Sequence, residues 1–132
     1  MSSYLLDTSI FLWSIYAAEK LNSAALALLE DGASTLVLSA ASCWEISIKA
    51  ALGKLKLPEP ASAYVPKRMT TQCIRSLPIS QIHALTAGEL PRHHGDPFDR
   101  MLAAQAKSEE MVLMTADASF EKYGIDIIWC AR

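Results

Sequence analysis

Short apolar runs alternate along the chain with longer amphipathic stretches, and each run stops at a turn residue or a helix start. Tyr4 to Leu6 is apolar and ends at Asp7, Thr8 and Ser9, after which Ile10, Phe11, Leu12 and Trp13 begin a helical segment; the pattern is strand, turn, helix. Ser23 is placed to cap a helix through Leu29 that Gly32 stops, and Thr35 to Leu38 is β-branched and apolar, a second strand. A helix from about Ser42 to Leu52 is closed by Gly53. Pro58, Pro60 and Pro66 make Lys54 to Pro66 a loop that leads into a short helical piece. Cys73 to Ile79 reads as a third strand, and Ser80 to Leu90 as a helix that ends before Pro91. Gly95, Asp96 and Pro97 open a helix running to about Ser108. Met111 to Met114 is a fourth strand, Ala118 to Tyr123 a short helix ended by Gly124, and Ile125 to Trp129 a fifth strand.

Strands that alternate with helices predict an α/β fold with a five-stranded, mostly parallel sheet covered by helices on both faces. In such a sheet ligands bind beyond the carboxyl ends of the strands. Asp7 and Asp117 both follow strands and so fall at that edge.

At 132 residues one domain spanning 1–132 is expected, burying roughly two-thirds of the unfolded chain's surface. A hydrophobic fraction of 52% is high for a globule of this size and predicts apolar surface left for a partner or a second copy. Twelve basic against fourteen acidic residues, a net charge of −2, exclude a protein that holds nucleic acid by bulk charge, so any such contact is local. Cys43, Cys73 and Cys130 are odd in number and widely spaced, which fits a reducing cytoplasm better than a disulfide framework or a zinc site. Neither a signal peptide nor a membrane span is indicated.

The chemistry lies in four acids, Asp7, Glu45, Asp99 and Asp117. Gathered at one rim they would make a pocket for a hard divalent cation, Mg²⁺ or Mn²⁺, and phosphodiester hydrolysis is the natural reaction of such a pocket. Each also has a purely structural reading. Asp7 and Asp117 could cap the helices that follow them. Glu45 has the capping-box spacing from Ser42 and the ion-pair spacing to Lys49. Asp96, Pro97 and Asp99 match N-cap, N1 and N3; Asp96 takes the cap, and Asp99 is the better ligand candidate.

LLDTSIFLW at Leu5 to Trp13, SAASCWEISIK ending at Lys49 with GKLKLP after it, HGDPFDRMLAAQA at His94 to Ala106 and TADASFEKYGIDIIW at Thr115 to Trp129 together resemble the PIN-domain ribonucleases, and more narrowly the VapC toxins of toxin-antitoxin systems. The likeness runs nearly the full length. It implies a three-layer fold and a catalytic, metal-holding site of Asp7, Glu45, Asp99 and Asp117, with Thr8, Ser9 and Thr115 as supporting hydroxyls. Asp7 and Asp99 would then be the principal ligands of one ion, and Glu45 and Asp117 would bind a second ion or metal-bound waters. The implied activity is Mg²⁺- or Mn²⁺-dependent endonucleolytic cleavage of RNA, blocked by a cognate antitoxin in a protein that forms a homodimer. The chain departs from the family's common pattern at Ser9, often His, and at Ala116, often Arg.

Arg92, His93, His94 and Lys49 are the leading candidates for RNA phosphate contacts, with Lys54, Lys56, Lys67, Arg68 and Arg100 behind them. Trp13, Trp44 and Trp129 are expected in the core. Two other classes fit parts of the pattern. A metal-dependent phosphatase on a related scaffold also places an Asp after its first strand, but many carry a second Asp where this chain has Ser9. A non-catalytic binding module would use the acids as caps and its apolar surface for a partner.

Overall fold

The computed structural model describes residues 3–132. Five strands, β1 (Ser3–Leu6), β2 (Thr35–Ser39), β3 (Ile74–Leu77), β4 (Val112–Thr115) and β5 (Ile127–Trp129), form one sheet in the order β3-β2-β1-β4-β5. Every pairing is parallel. Register puts Leu5 beside Val37 and Leu113, and Leu6 beside Met114. Because side chains alternate across a strand, Leu5, Val37 and Leu113 face one way while Leu6, Leu36, Leu38 and Met114 face the other.

Six α-helices cover the two faces: α1 (Thr8–Tyr16), α2 (Ser23–Glu30), α3 (Ala40–Ala51), α4 (Ala61–Thr71), α5 (Gln81–Glu89) and α6 (Pro97–Ser108). Ile10 and Phe11 of α1, Ala25 of α2, Ile46 of α3 and Val65 of α4 close the Leu6 face. Ala87 of α5 and Leu102, Ala103 and Ala106 of α6 close the Leu5 face, with Phe120 and Tyr123 from the 3₁₀ turn Ala118–Tyr123. The run of alanines on α6 lets that helix approach the sheet closely. Among the described residues no helix is long and apolar enough to cross a membrane.

Several local expectations are corrected. The cap of α2 is Asn22, whose side chain accepts the Ala25 N–H at 2.8 Å and also donates to the Trp129 carbonyl, so it ties the helix start to β5. Helix α3 begins two residues earlier than expected, capped by Ser39. Ser42 therefore lies inside the helix and is no partner in a capping box with Glu45. Pro66 sits within α4 rather than ending a loop. It deprives the Ser62 carbonyl of its helix donor, a loss that water offsets because Ser62 is exposed. Helices α4 and α6 are followed by Cys73 and Glu110, both at positive φ (55° and 53°), so residues with a Cβ occupy the left-handed position that glycine usually fills.

Candidate active site

The strand order reverses between β1 and β4, and a parallel sheet opens a crevice where neighbouring connections leave in opposite directions. β1 runs straight into Asp7, whose backbone N–H donates to the Met114 carbonyl at 2.9 Å. β4 ends at Thr115 and leads to Asp117. The Thr115 hydroxyl joins the two loops: it donates to Asp7 Oδ2 at 2.8 Å and accepts the Asp117 N–H at 3.0 Å. Asp7 stands at the N-cap position of α1, yet its carboxylate makes no cap bond.

Helices α3 and α6 bring the other two acids to the same rim. Asp7, Glu45, Asp96 and Asp99 line one cleft of about 290 Å³ together with Thr8, Ser9, Leu12 and Lys49. The Thr8 hydroxyl donates to Ser42 Oγ at 2.9 Å, clasping the start of α1 to α3. Lys49 donates to Glu45 Oε2 at 2.7 Å; that bond holds the ammonium above its ordinary range. Asp96 caps α6, accepting the Phe98 and Asp99 N–H groups at 2.7 and 3.4 Å, as expected. Asp117 lies on the far side of Asp99: atoms of His94, Asp99 and Asp117 come within 4.8 Å of one another.

The electrostatics follow from crowding. Burial pushes the Asp7 carboxyl up, the Thr115 hydroxyl opposes this, and Glu45 and Asp117 add to the rise. Asp99 is pushed up to about 7 by burial and by the charges of Asp7, Asp96 and Glu45, against a smaller opposing pull from His94. Asp117 is the exception. Partial burial raises it, but the His94 hydrogen bond and the Ser119 amide outweigh this and keep it below the usual range. Three of the acids thus have a dedicated holder, whereas among the described residues no side chain bonds the Asp99 carboxylate. A set of carboxylate oxygens gathered at one rim, two of them raised by burial and by their neighbours' charge, is the donor chemistry that suits a hard divalent cation.

His94 is placed differently from expectation. Its Nε2 lies 2.7 Å from Asp117 Oδ2 and its Nδ1 lies 2.8 Å from the Tyr123 hydroxyl. A carboxylate only accepts, so Nε2 carries a proton toward Asp117, while Nδ1 is engaged by the Tyr123 hydroxyl. With both nitrogens engaged, His94 is a support of the acid cluster, not a side chain free to meet phosphate. Arg100 also departs from the phosphate reading. It is buried, and its guanidinium donates to the carbonyls of Ala87, Leu90 and Pro91 at 2.7, 2.9 and 3.1 Å. It satisfies the open end of α5 and fixes the loop that carries His94. Arg92 and His93 remain exposed on that loop, His93 edge-on to Tyr123. Trp44 and Trp129 lie at the surface, 61% and 47% exposed, instead of in the core. The sequence holds no local signal for the His94–Asp117–Tyr123 contact, because its members are 23 and 29 residues apart.

A family model described as PIN domain matches residues 4–126. Ribonuclease VapC16 of Mycobacterium tuberculosis is 51% identical over 61 residues, 46% of this chain and 42% of that protein; the chain thus spans less than half the length of the curated relative it matches. Among solved structures, VapBC2 from Rickettsia felis bound to a DNA fragment from its promoter is similar with a TM-score of 0.70 at 16% identity, covering 97% of this chain and 98% of the other. DNA-bound VapBC from Salmonella typhimurium gives 0.63 at 23% identity over 97% and 98%. FitAcB from Neisseria gonorrhoeae gives 0.62 at 22% identity over 95% and 96%. At these identities the structural likeness is one of fold.

Proposed function

The chain belongs to the PIN-domain family, and from that premise we propose that it is a divalent-metal-dependent endoribonuclease, the toxin of a toxin-antitoxin pair, hydrolysing RNA phosphodiester bonds at the cleft of Asp7, Glu45, Asp99 and Asp117. The observation that carries the reading is the meeting of acids from four separate elements at the switch point of the sheet, with Asp99 pushed up to about 7 by burial first and by the neighbouring carboxylates second. Asp117 does cap the 3₁₀ turn, accepting the Ser119 N–H at 2.9 Å, but capping does not account for the others: Asp7 makes no cap bond and Glu45 has no capping box.

Asp7 and Asp99 would be the principal holders of Mg²⁺ or Mn²⁺, with Glu45 and Asp117 beside them. Such an ion polarises a phosphate oxygen and lowers the pKa of a bound water. The chain's own residues supply order. Thr115 fixes the Asp7 carboxylate and the Asp117 backbone with one hydroxyl; His94, held by Tyr123, fixes the Asp117 side chain. Lys49 holds the Glu45 carboxylate by a 2.7 Å bond and brings a positive charge to the cleft wall. A bound cation would favour the ionised form of Asp99, which burial and the neighbouring carboxylates push up to about 7.

A mostly apolar groove of about 250 Å³, lined by Leu12, Ile15, Tyr16, Leu55, Leu57, Pro58 and Tyr64 together with Lys54 and Lys56, shares Leu12 with the acidic cleft. A protein antitoxin lying in it could extend a basic side chain into the acids, which supports neutralisation by direct occlusion. A solved neighbour from Klebsiella pneumoniae is described as a toxin-antitoxin complex, and the two VapBC neighbours are bound to DNA, in keeping with such a partner. A homodimer in the cytoplasm belongs to the same reading.

The test is to incubate the purified, antitoxin-free protein with structured RNA in Mg²⁺, in Mn²⁺ and in chelator, beside Asp99→Asn. Cleavage that requires both the ion and Asp99 supports the reading. Absence of both cleavage and divalent-ion binding overturns it and returns the acids to a structural role.

A further inference from the structure

We propose that Trp44, braced by Phe98, is the stacking platform for an unpaired base of single-stranded RNA beside the scissile phosphate; this rests on the nuclease reading above and adds how the substrate is held. Trp44 immediately precedes Glu45 on α3, and Phe98 immediately precedes Asp99 on α6. Each helix that delivers an acid to the cleft therefore carries an aromatic ring at the adjoining position, about 100° around the helix from the acid and outside the cleft lining itself. The two rings meet edge to face, centroids 5.3 Å apart and planes at 77°. Phe98 is half-buried, whereas Trp44 is 61% exposed. The contact restrains the indole and leaves most of its surface in water, so a ligand ring meets a surface already ordered.

Charge explains why such a platform is needed. The chain carries −2 overall, its cleft is lined by Asp7, Glu45, Asp96 and Asp99, and the cation on that lining, Lys49, is tied to Glu45. Counterion release, the main source of affinity in basic nucleic-acid binders, is weak on such a surface. Stacking of a base on an aromatic face is independent of net charge and tolerates any base. The other strongly exposed aromatic residues, Tyr16 and Trp129, stand on α1 and β5 and adjoin none of the four acids in sequence. A paired helix hides its base faces, so the partner of Trp44 is a loop, bulge or end.

The experiment uses the full chain carrying Asp99→Asn to prevent cleavage, with short fluorescein-labelled single-stranded RNAs in Mg²⁺, followed by anisotropy, and with mass in solution followed by light scattering. Adding Trp44→Ala should weaken binding about tenfold or more, the loss expected for one stacked base. Trp44→Phe should recover most of it. Trp44→Leu, apolar but without a π face, should not, and the salt dependence should be the same throughout because no charge changes. Trp44 is at the surface, and an unchanged melting temperature verifies that each variant is folded. Unaltered RNA affinity in Trp44→Ala, or equal rescue by Leu, overturns the platform alone. So does a drop in mass that the RNA affinity simply follows, which would assign the indole to contact with a second copy. If the Asp99→Asn parent binds no RNA at all, the nuclease reading falls together with the platform.

Discussion

Replacing Asp99 by Asn should stabilise the metal-free protein, and should do so only where the native carboxyl is being forced to ionise. In the folded chain the group titrates at about 7 instead of 3.8. The native state therefore holds a proton more tightly than the unfolded state. Its contribution to stability is full below pH 3.8 and is lost as pH rises through 7. Taken at face value, a rise from 3.8 to about 7 corresponds to about 4 kcal/mol at 1.36 kcal/mol per pH unit. Asp99 is only partly buried and water screens it, so about 2 kcal/mol is the reasonable size at pH 8. For a chain of this length that is a gain in melting temperature of roughly 7 °C. The assay is thermal or urea unfolding of both proteins in chelator from pH 4 to pH 8. The two curves should draw together toward pH 4, separate between pH 4 and about 7, and keep a constant gap above that. Adding Mg²⁺ or Mn²⁺ at pH 8 should close the gap, because the ion stabilises the native wild type and has lost a ligand in the variant. A difference independent of pH, or a variant less stable than wild type at pH 8, would refute the claim that crowded charge governs this site.

Three further outcomes are expected. Thr115→Val keeps the volume but removes the hydroxyl that bonds Asp7 and the Asp117 amide; Mn²⁺ affinity measured by calorimetry should fall about 10- to 100-fold with the fold retained. Arg100→Ala unmakes the buried bonds to the end of α5, should cost about 3 kcal/mol in urea unfolding, and should lower cleavage through the loop that carries His94. Glu110→Gly, at φ 53° and exposed, should relieve left-handed strain and raise stability by about 0.5 to 1 kcal/mol after the entropic cost of glycine in the unfolded chain.

What one stretch of chain decides was legible without a structure. Apolar runs bounded by Gly, Pro, Ser and Asp foretold the five strands and most of the helices, because hydrophobic period and cap chemistry act over a few residues. The misplacements were small and local in kind. Ser39 and Ser42 offer similar caps three residues apart, and Asn22 and Ser23 offer them side by side; packing against the sheet chose between them. Pro66 looked like a boundary and is not one, since the carbonyl it leaves open faces water.

The four acids could be named from sequence because each stands at a strand end or a helix start, but only the tertiary structure decided what they are to one another. The order β3-β2-β1-β4-β5 sets β1 beside β4, and so Thr115 reaches Asp7 across 108 residues. The same folding put His94 between Asp117 and Tyr123, drew Arg100 inward to the carbonyls of α5, and left Trp44 in solvent on the helix that carries Glu45. Charge state, partner and exposure depend on neighbours distant in sequence, and the field that holds Asp99 near pH 7 exists only once Asp7, Glu45 and Asp96 have been brought around it.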